Sequence, residues 1–540
     1  MKKSIIFLAL FMAIVFAFTA CSGGKQPAQE SDQETTTPPA ESEEPAGDDE
    51  EEPAAEVPDA SDLEPYEIVY YMYSTKASDQ DKVIEEAINE IIQPKFNATI
   101  DFVMISGGDW NEKAKVALNS GEKIDIFWTP EWMGYMDNIT AGVLLPLNDP
   151  DGPWGDLIST YAPQTKEDLG DFIEANIVDG YLYGVATNKE LCVPGGLIWN
   201  ETLTEKYNID VTKVMTVEDL EPILYEFKNT EEYAQGIYPL LTTGAWSAFD
   251  PFIQGFMADM SSITMYIGEP GARDGVPVNQ WTEDHPMAGR NRREIMAKWN
   301  KDGLMHPDSH LSSFSNIDYL NNGAFLVSTD FVLKGGQVKA KELMAQSGNP
   351  ELRLVEHQTS ASVNVTTHAG GSMLGIPITS EDPPRAMMYI NEMHQNEELL
   401  NIMAWGIEGV HYDLNDDGFV IPKPANGWSD SHGGMWTLGN QFKQKLSANE
   451  DPQKYEQMLA LTAEAWAHES LGFRFKRDNV AAEFTSIGAV TSEWERSLNC
   501  GVRVDEYDTF LKALEEAGID KVLEEARSQY AAWKAEKYGS

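Results

Sequence analysis

The spacing of apolar and polar positions divides the chain before any residue chemistry is considered. Residues 5–18 form an almost continuous apolar run behind Lys2 and Lys3. Residues 22–65 hold Pro, Glu, Asp, Ser, Thr, Gly and Ala with almost no large apolar side chains. From Glu67 onward, patterns of period 2 and period 3.6 alternate. Glu67–Tyr71 reads as a strand. Ser78 followed by Asp81 resembles a capping box, and Val83, Ile84, Ala87, Ile88, Ile91 and Ile92 then recur at helical spacing until Pro94. Thr99–Met104 is a second strand, and Asp109 caps a helix Trp110–Ser120 closed by Gly121. Ile124–Trp128 is a short apolar strand. Strand, helix, strand, helix, strand predicts a parallel sheet in an α/β lobe.

The pattern continues with a tight turn at Val178–Val185 and helices at Val217–Lys228 and Met287–Asp302. Between those helices, Thr242–His285 has no regular period and is rich in Gly and Pro, with Trp246, Phe249 and Trp281 among them. A long irregular loop inside a compact protein is usually functional. Asn321–Phe331 and Gly370–Pro377 read as strands, Pro383–Ala404 as one long helix, and Tyr455–Ser470, Glu506–Ala517 and Lys521–Tyr538 as amphipathic helices.

Within this frame Lys123–Leu147 stands out. Its strand breaks at Pro130 and places Trp128, Glu131, Trp132 and Tyr135 in the following turn. Loops beyond the ends of strands are where α/β proteins hold ligands. A sugar ring has one face of C–H bonds, which an aromatic ring covers, and a rim of hydroxyls, which carboxylates take in charge-assisted hydrogen bonds. Trp128, Trp132, Trp199, Trp246 and Trp281, interleaved with Glu131, Glu190 and Asp330, suit that chemistry. Each tryptophan taken singly could equally be core.

Composition adjusts the picture. With 88 Asp and Glu against 39 Lys and Arg, the formal net charge of −49 disfavours a nucleic-acid partner. The N-terminal apolar run reads as a secretion signal, residues 1–20, and Phe18-Thr19-Ala20-Cys21 resembles a lipobox, in which the cysteine is lipidated. The acidic, proline-rich stretch behind it has the composition of a disordered tether. Cys192 and Cys500 are the other cysteines, and the sequence leaves open whether they are bridged. Asp413-x-Asn415-x-Asp417-Gly418 matches the first half of a calcium loop, but Pro424 stands where its last ligand should be, so it reads as a hairpin turn. His306 and His310 have no third zinc ligand. No catalytic motif of the G-x-S-x-G, H-E-x-x-H or G-x-G-x-x-G type is present. We therefore expect no catalytic residue, metal or cofactor.

Lipobox, acidic tether, the β-α-β-α-β start, "DIFWTPEW…GVLLPL", "DGYLYGV" and "WGIEGVHYDLNDDG" occur in that order. Together they resemble the extracellular solute-binding lipoproteins of ABC importers, the class that includes maltose-binding protein. The ending "GVRVDEYDTFLKALEEAGIDKVLEEARSQYAAWK" resembles a lipoprotein subgroup common in Gram-positive bacteria. The resemblance implies a type II, two-lobed α/β fold closing like a hinge on its ligand. It implies a first lobe of 66–186 plus about 360–445, and a second of 187–359 plus about 446–540. It also implies a monomer on the extracellular face of the membrane, held by a lipid at Cys21 after a tether of 21–65, passing a solute to permease subunits. An oligosaccharide is the expected solute. The sites implied are Trp128 and Glu131, with Tyr73, Thr75 and Lys76 in the loop beyond the first strand, and Glu190 after the "DGYLYGV" turn. Trp132, Trp199, Trp246, Asp330, Glu408 and His411 complete the candidates. A secreted carbohydrate-active hydrolase and a sugar-binding surface sensor without transport are the rival readings.

Overall fold

In the computed structural model, residues 60–539 are described, apart from 75–77, 107–108, 193, 245–248, 250, 253–254, 257–261, 267–274, 283–288, 330–332 and 430–434. The signal, Cys21 and residues 22–59 of the tether therefore lie outside the described residues, as do Thr75, Lys76, Trp246 and Asp330. The end of the tether is ordered: Ala60–Asp62 form a single helical turn, Leu63 packs against the first core, and its carbonyl accepts from the Asn97 side chain at 2.7 Å.

The chain opens with β1 (Tyr66–Ser74), β2 (Ala98–Ser106) and β3 (Ile126–Trp128), joined by the helices Asp81–Phe96 and Trp110–Ser120. β1 pairs in parallel with β2 on one side and with β3 on the other. Tyr70, Tyr71 and Met72 in the middle of β1 are all buried, as expected for a strand covered on both faces. The aspartate that leads into β3 has a backbone-organising role. Buried Asp125 accepts from the Tyr66 hydroxyl at 2.6 Å, the Ser380 hydroxyl at 2.6 Å and the Val69 amide at 2.9 Å. These three fixed donors replace the water that the carboxylate gives up on burial.

After β4 (Val185–Ala186) the chain leaves this sheet. It builds a second from β5 (Gly196–Asn200), β6 (Tyr238–Leu241), β7 (Phe325–Ser328) and β8 (Leu354–Gln358), then returns as β9 (Met373–Gly375). The first sheet has the order β2-β1-β3-β9-β4, with β9 antiparallel to both β3 and β4. The second has the order β8-β5-β7-β6. One hydrophobic core surrounds the first sheet; two cover the faces of the second, around Trp199 and Trp299 on one side and Ile198 and Leu343 on the other. A fourth core, around Trp281, Trp494, Phe510 and Tyr530, is packed by the helices Ala481–Asn499, Tyr507–Glu516 and Ile519–Tyr538.

Several local expectations change. Pro94 does not stop the first helix, which continues to Phe96 and ends with Asn97 in the left-handed region. The Ser78 hydroxyl donates to Gly427 O instead of capping that helix. The long helix Pro383–Ala404 is two helices, Pro383–Gln395 and Glu397–Trp405; Asn396 ends the first and caps the second by accepting from the Glu398 and Leu399 amides. The helix expected over Tyr455–Ser470 ends at Glu464, and Trp466–Ala467 pairs in parallel with Val363–Asn364. Asp413–Gly418 lies in the hairpin Tyr412–Leu414/Val420–Pro422, where Gly418 has φ +84°. Cys192 and Cys500 are both buried and are not bridged by a disulfide. Among the described residues no helix is long and apolar enough to cross a membrane, and no group of three or more His, Cys, Asp and Glu could hold a metal ion.

Candidate functional site

The loop beyond β3 divides its side chains between the interior and the surface. Trp128 is the last residue of β3 and is completely buried. Its indole N–H donates to Ser372 Oγ at 2.9 Å, and its ring is boxed by Tyr73 at 4.4 Å, Trp110 at 5.2 Å, Trp132 at 5.6 Å and Trp436 at 5.9 Å between centroids. This differs from the expectation that Trp128 stacks on a ligand: no face of its ring is open. The edge-to-face contacts with Trp110 and Trp132 make it a backing for the rings around it.

Trp132 is 55 % exposed, which for an indole in a folded loop leaves most of one face in water. It is nevertheless fixed. Its indole N–H donates to Gly371 O at 2.9 Å, and its ring stands 6.4 Å from that of Trp436 at an interplanar angle of 35°. Half-buried Trp436 also leans on Tyr73 at 5.7 Å. Two tilted indoles on a buried third form an aromatic face with few free rotamers. Trp436 is missing from the sequence candidates; it follows a Gly-rich stretch in which no period marks it.

Glu131 faces away from this surface. It is 1 % exposed and forms an ion pair with Arg474, whose side chain is also buried at 4 %. Arg474 further donates to Ala175 O at 3.1 Å and to Asn176 Oδ1 at 2.8 Å, with its guanidinium 5.2 Å above the Tyr135 ring. Burial pulls the Arg474 guanidinium down to about 9. The expectation that Glu131 contacts ligand thus gives way to a structural role, because its charge is committed to a buried cation. Two neighbours repeat the arrangement nearer solvent: Lys476 pairs with Asp179 at 2.5 Å and Arg477 with Asp137 at 2.8 Å. Residues 474–477 therefore tie the C-terminal helical region to the first sheet's core. The signal was available: Arg474-Phe-Lys476-Arg477 is a basic run in a chain of net charge −49.

The remaining candidates scatter. Glu190 is buried where the chain crosses from the first sheet to the second. Burial raises its carboxyl, but the ammonium groups of Lys334 and Lys189 outweigh this and hold it below the usual carboxylate range. Lys189 is 3.9 Å from it, and Lys334 also bonds Glu342 at 3.1 Å. Trp199 is wholly buried in β5, and Trp281 beneath Phe510, so neither presents a ring. Glu408 is exposed, and buried His411 accepts from the Ile407 amide at 3.0 Å to close the turn of the hairpin. Of the candidates described, Tyr73, Trp128 and Trp132 come together; Glu190, Trp199, Glu408 and His411 lie in other elements.

Where the 474–477 tie crosses, an open groove of about 940 Å³ separates residues 174–180 from 471–476 and the end of the last helix.

Comparison with known proteins places this geometry. Residues 469–535 match a family described as a domain of unknown function (DUF3502). Over 478 residues, 86 % of this chain and 90 % of the relative, the sequence is 25 % identical to a carbohydrate ABC transporter substrate-binding protein of Streptococcus pneumoniae. The fold matches the N-glycan transport solute-binding protein NgtS of the same organism with a TM-score of 0.72 at 22 % identity, over 88 % of this chain and all of that one. The NgtS complex with Man5GlcNAc matches with a TM-score of 0.67, over 88 % and 99 % of the two chains at 22 % identity. The alginate-binding protein AlgQ2 matches with a TM-score of 0.58 at 15 % identity, over 87 % and 98 %. The fold is thus that of type II solute-binding proteins, and along its folded length the sequence is similar to a substrate-binding protein of an ABC transporter.

Proposed function

We propose that this protein captures an oligosaccharide outside the cell and delivers it to the permease subunits of an ABC importer, acting as a monomer tethered through a lipid on Cys21 and performing no chemistry of its own. One observation carries the ligand class: the exposed Trp132 and its neighbour Trp436, pinned by the Trp132–Gly371 hydrogen bond and backed by buried Trp128. Such a face covers the C–H side of a sugar ring at small entropic cost, because its rotamers are fixed before the ligand arrives. The curated relative, a carbohydrate-binding component of an ABC transporter, supports the same class.

Calorimetric titration with mannose- and N-acetylglucosamine-containing oligosaccharides tests it. Saturable binding is expected, with the affinity of Trp132→Ala reduced at least about tenfold, or roughly 1.4 kcal/mol. Unchanged affinity would reject the aromatic face, and hydrolysis of the bound sugar would reject the binding-only role. Cys21→Ser should release the protein from cells into the medium; its retention on the membrane would count against the anchor.

A further inference from the structure

The hydrogen bond that pins Trp132 ends on Gly371, and polar atoms of another segment surround that glycine. β4 runs antiparallel beside β9, and the pairing continues past both strands, where the Thr187 amide donates to Ser372 O at 2.9 Å. The same register carries Lys189 alongside Gly371. A Cβ placed on Gly371 would stand 3.8 Å from Lys189 Nζ, 3.4 Å from Thr367 O and 3.2 Å from His368 O. Gly371 is half-buried, and its φ lies outside the left-handed region, so the backbone does not require glycine here. What the glycine provides is a recess the size of a methyl group beside the Trp132 face.

The walls of this recess are chemically incomplete. Lys189 donates to Glu190 O at 3.2 Å, while Glu190 Oε1 lies 3.9 Å away, beyond hydrogen-bond reach. Of the three N–H groups of its ammonium, two therefore have no acceptor among the described residues, although the side chain is only 11 % exposed. His368 O accepts from the Gly371 amide at 3.1 Å, whereas Thr367 O accepts from no donor among the described residues. A nearly buried ammonium short of acceptors and a carbonyl short of a donor are each costly to leave alone. A hydroxyl is the group that satisfies both, since it accepts from one and donates to the other.

We infer that the recess over Gly371 seats a hydroxyl of the sugar ring that lies on Trp132, with Lys189 as its donor and the Thr367 carbonyl as its acceptor. Seat and aromatic face share one residue, because Gly371 O holds the Trp132 indole N–H at 2.9 Å. The seat rests on the function proposed above and sharpens it. An aromatic face covers the C–H side of many sugars alike. Polar groups built around one hydroxyl reject a ring that lacks it, because they are then left unpaired. Lys189 is thereby a specificity-determining residue, and Gly371 is its partner by virtue of having no side chain.

Titration of the wild type, Lys189→Met, Gly371→Ala and Trp132→Ala with an oligosaccharide of five mannoses on N-acetylglucosamine tests it. Lys189→Met keeps the length of the stem and removes the donors, while Glu190 retains the charge of Lys334. Gly371→Ala fills the recess and leaves every polar atom in place, the acceptor of the Trp132 N–H included. Each of these two variants should weaken binding at least about tenfold. Each should also melt within about 2 °C of the wild type, which a merely structural role for Lys189 would not allow. Wild-type affinity in either variant would overturn the seat; if Trp132→Ala weakens binding in the same series, the aromatic face and the function proposed above stand without it. Weakened binding accompanied by a melting temperature lowered by more than about 5 °C in Lys189→Met would assign the loss to the ion cluster at Glu190 and also overturn it. If the wild type does not bind the oligosaccharide, the ligand class proposed above fails and the seat fails with it.

Discussion

Trp128 and Trp132 lie four residues apart in one loop and have opposite fates. Trp128 and its near neighbour Glu131 point inward, and each is consumed by the protein: the indole by a box of four aromatic rings and Ser372, the carboxylate by Arg474. Trp132 points outward and spends only its N–H on Gly371. The inward residues make the loop rigid, and the outward residue uses that rigidity. Residue type alone does not separate holding from binding; the partner of each polar atom does.

That contrast can be broken in order of effect. Glu131→Ala leaves Arg474 as an uncompensated buried charge, so denaturant unfolding should show a loss of about 3–5 kcal/mol. A loss near zero would mean that Arg474 finds water, and the inward half of the comparison would collapse. Trp128→Phe removes the bond to Ser372 and part of the ring volume; roughly 2 kcal/mol of stability should go, with ligand affinity falling only as far as Trp132 is displaced. Trp132→Ala should do the reverse, changing stability by no more than about 0.5 kcal/mol while weakening sugar binding as stated above. Double-mutant cycles between Trp128→Phe and Trp132→Ala would sharpen the division, since rings in edge-to-face contact are expected to couple.

A smaller effect comes from a buried glutamate with a different solution to burial. Glu356 in β8 accepts from the Ala340 amide at 2.8 Å, and desolvation, the dominant influence, pushes its carboxyl up to about 8. Glu131 instead meets a cation. Because the folded form of Glu356 holds its proton above the unfolded carboxylate range, the native state binds more protons between about pH 4.5 and 8, and stability falls as pH rises through that window. The melting temperature of the wild type should therefore drop from pH 5 to pH 8 relative to Glu356→Gln. Parallel curves for the two proteins would show that Glu356 ionises freely in the fold.

The opening of the first sheet was legible in the sequence because its periods are strong. β1, β2 and β3 and their two helices follow from alternation and from the Ile84–Ile92 stripe, and the buried Asp125 does not disguise β3. Helix ends were less legible, because tertiary contacts decided them: Ser78 is drawn off to Gly427, and Asn396 splits an apolar stripe that runs on through both helices. The helix Ala481–Asn499 is absent from the sequence reading although Ile487, Thr491, Trp494 and Leu498 are spaced four, three and four apart and all face the core. At the site, the sequence marked the right loop but could not orient it. Whether a tryptophan at a strand end faces in or out depends on what lies across from it, here Ser372, Trp110 and Trp436 from distant parts of the chain. Arg474 shows the same limit from the other side: its basic run is visible, its partner is 343 residues away.

The Glu131–Arg474 pair also bears on how this chain could be dissected. The family match to residues 469–535 invites treating that segment as a removable module. Yet Glu131, Asp137 and Asp179, all in the opening third of the protein, draw their cations from Arg474, Arg477 and Lys476 inside it. A truncation at residue 468 would strip these three positive charges from their carboxylates and leave Glu131, next to Trp132, buried without its cation. The last seventy residues are thus part of the foundations of residues 131–179, a joint that a map drawn by sequence order alone would miss.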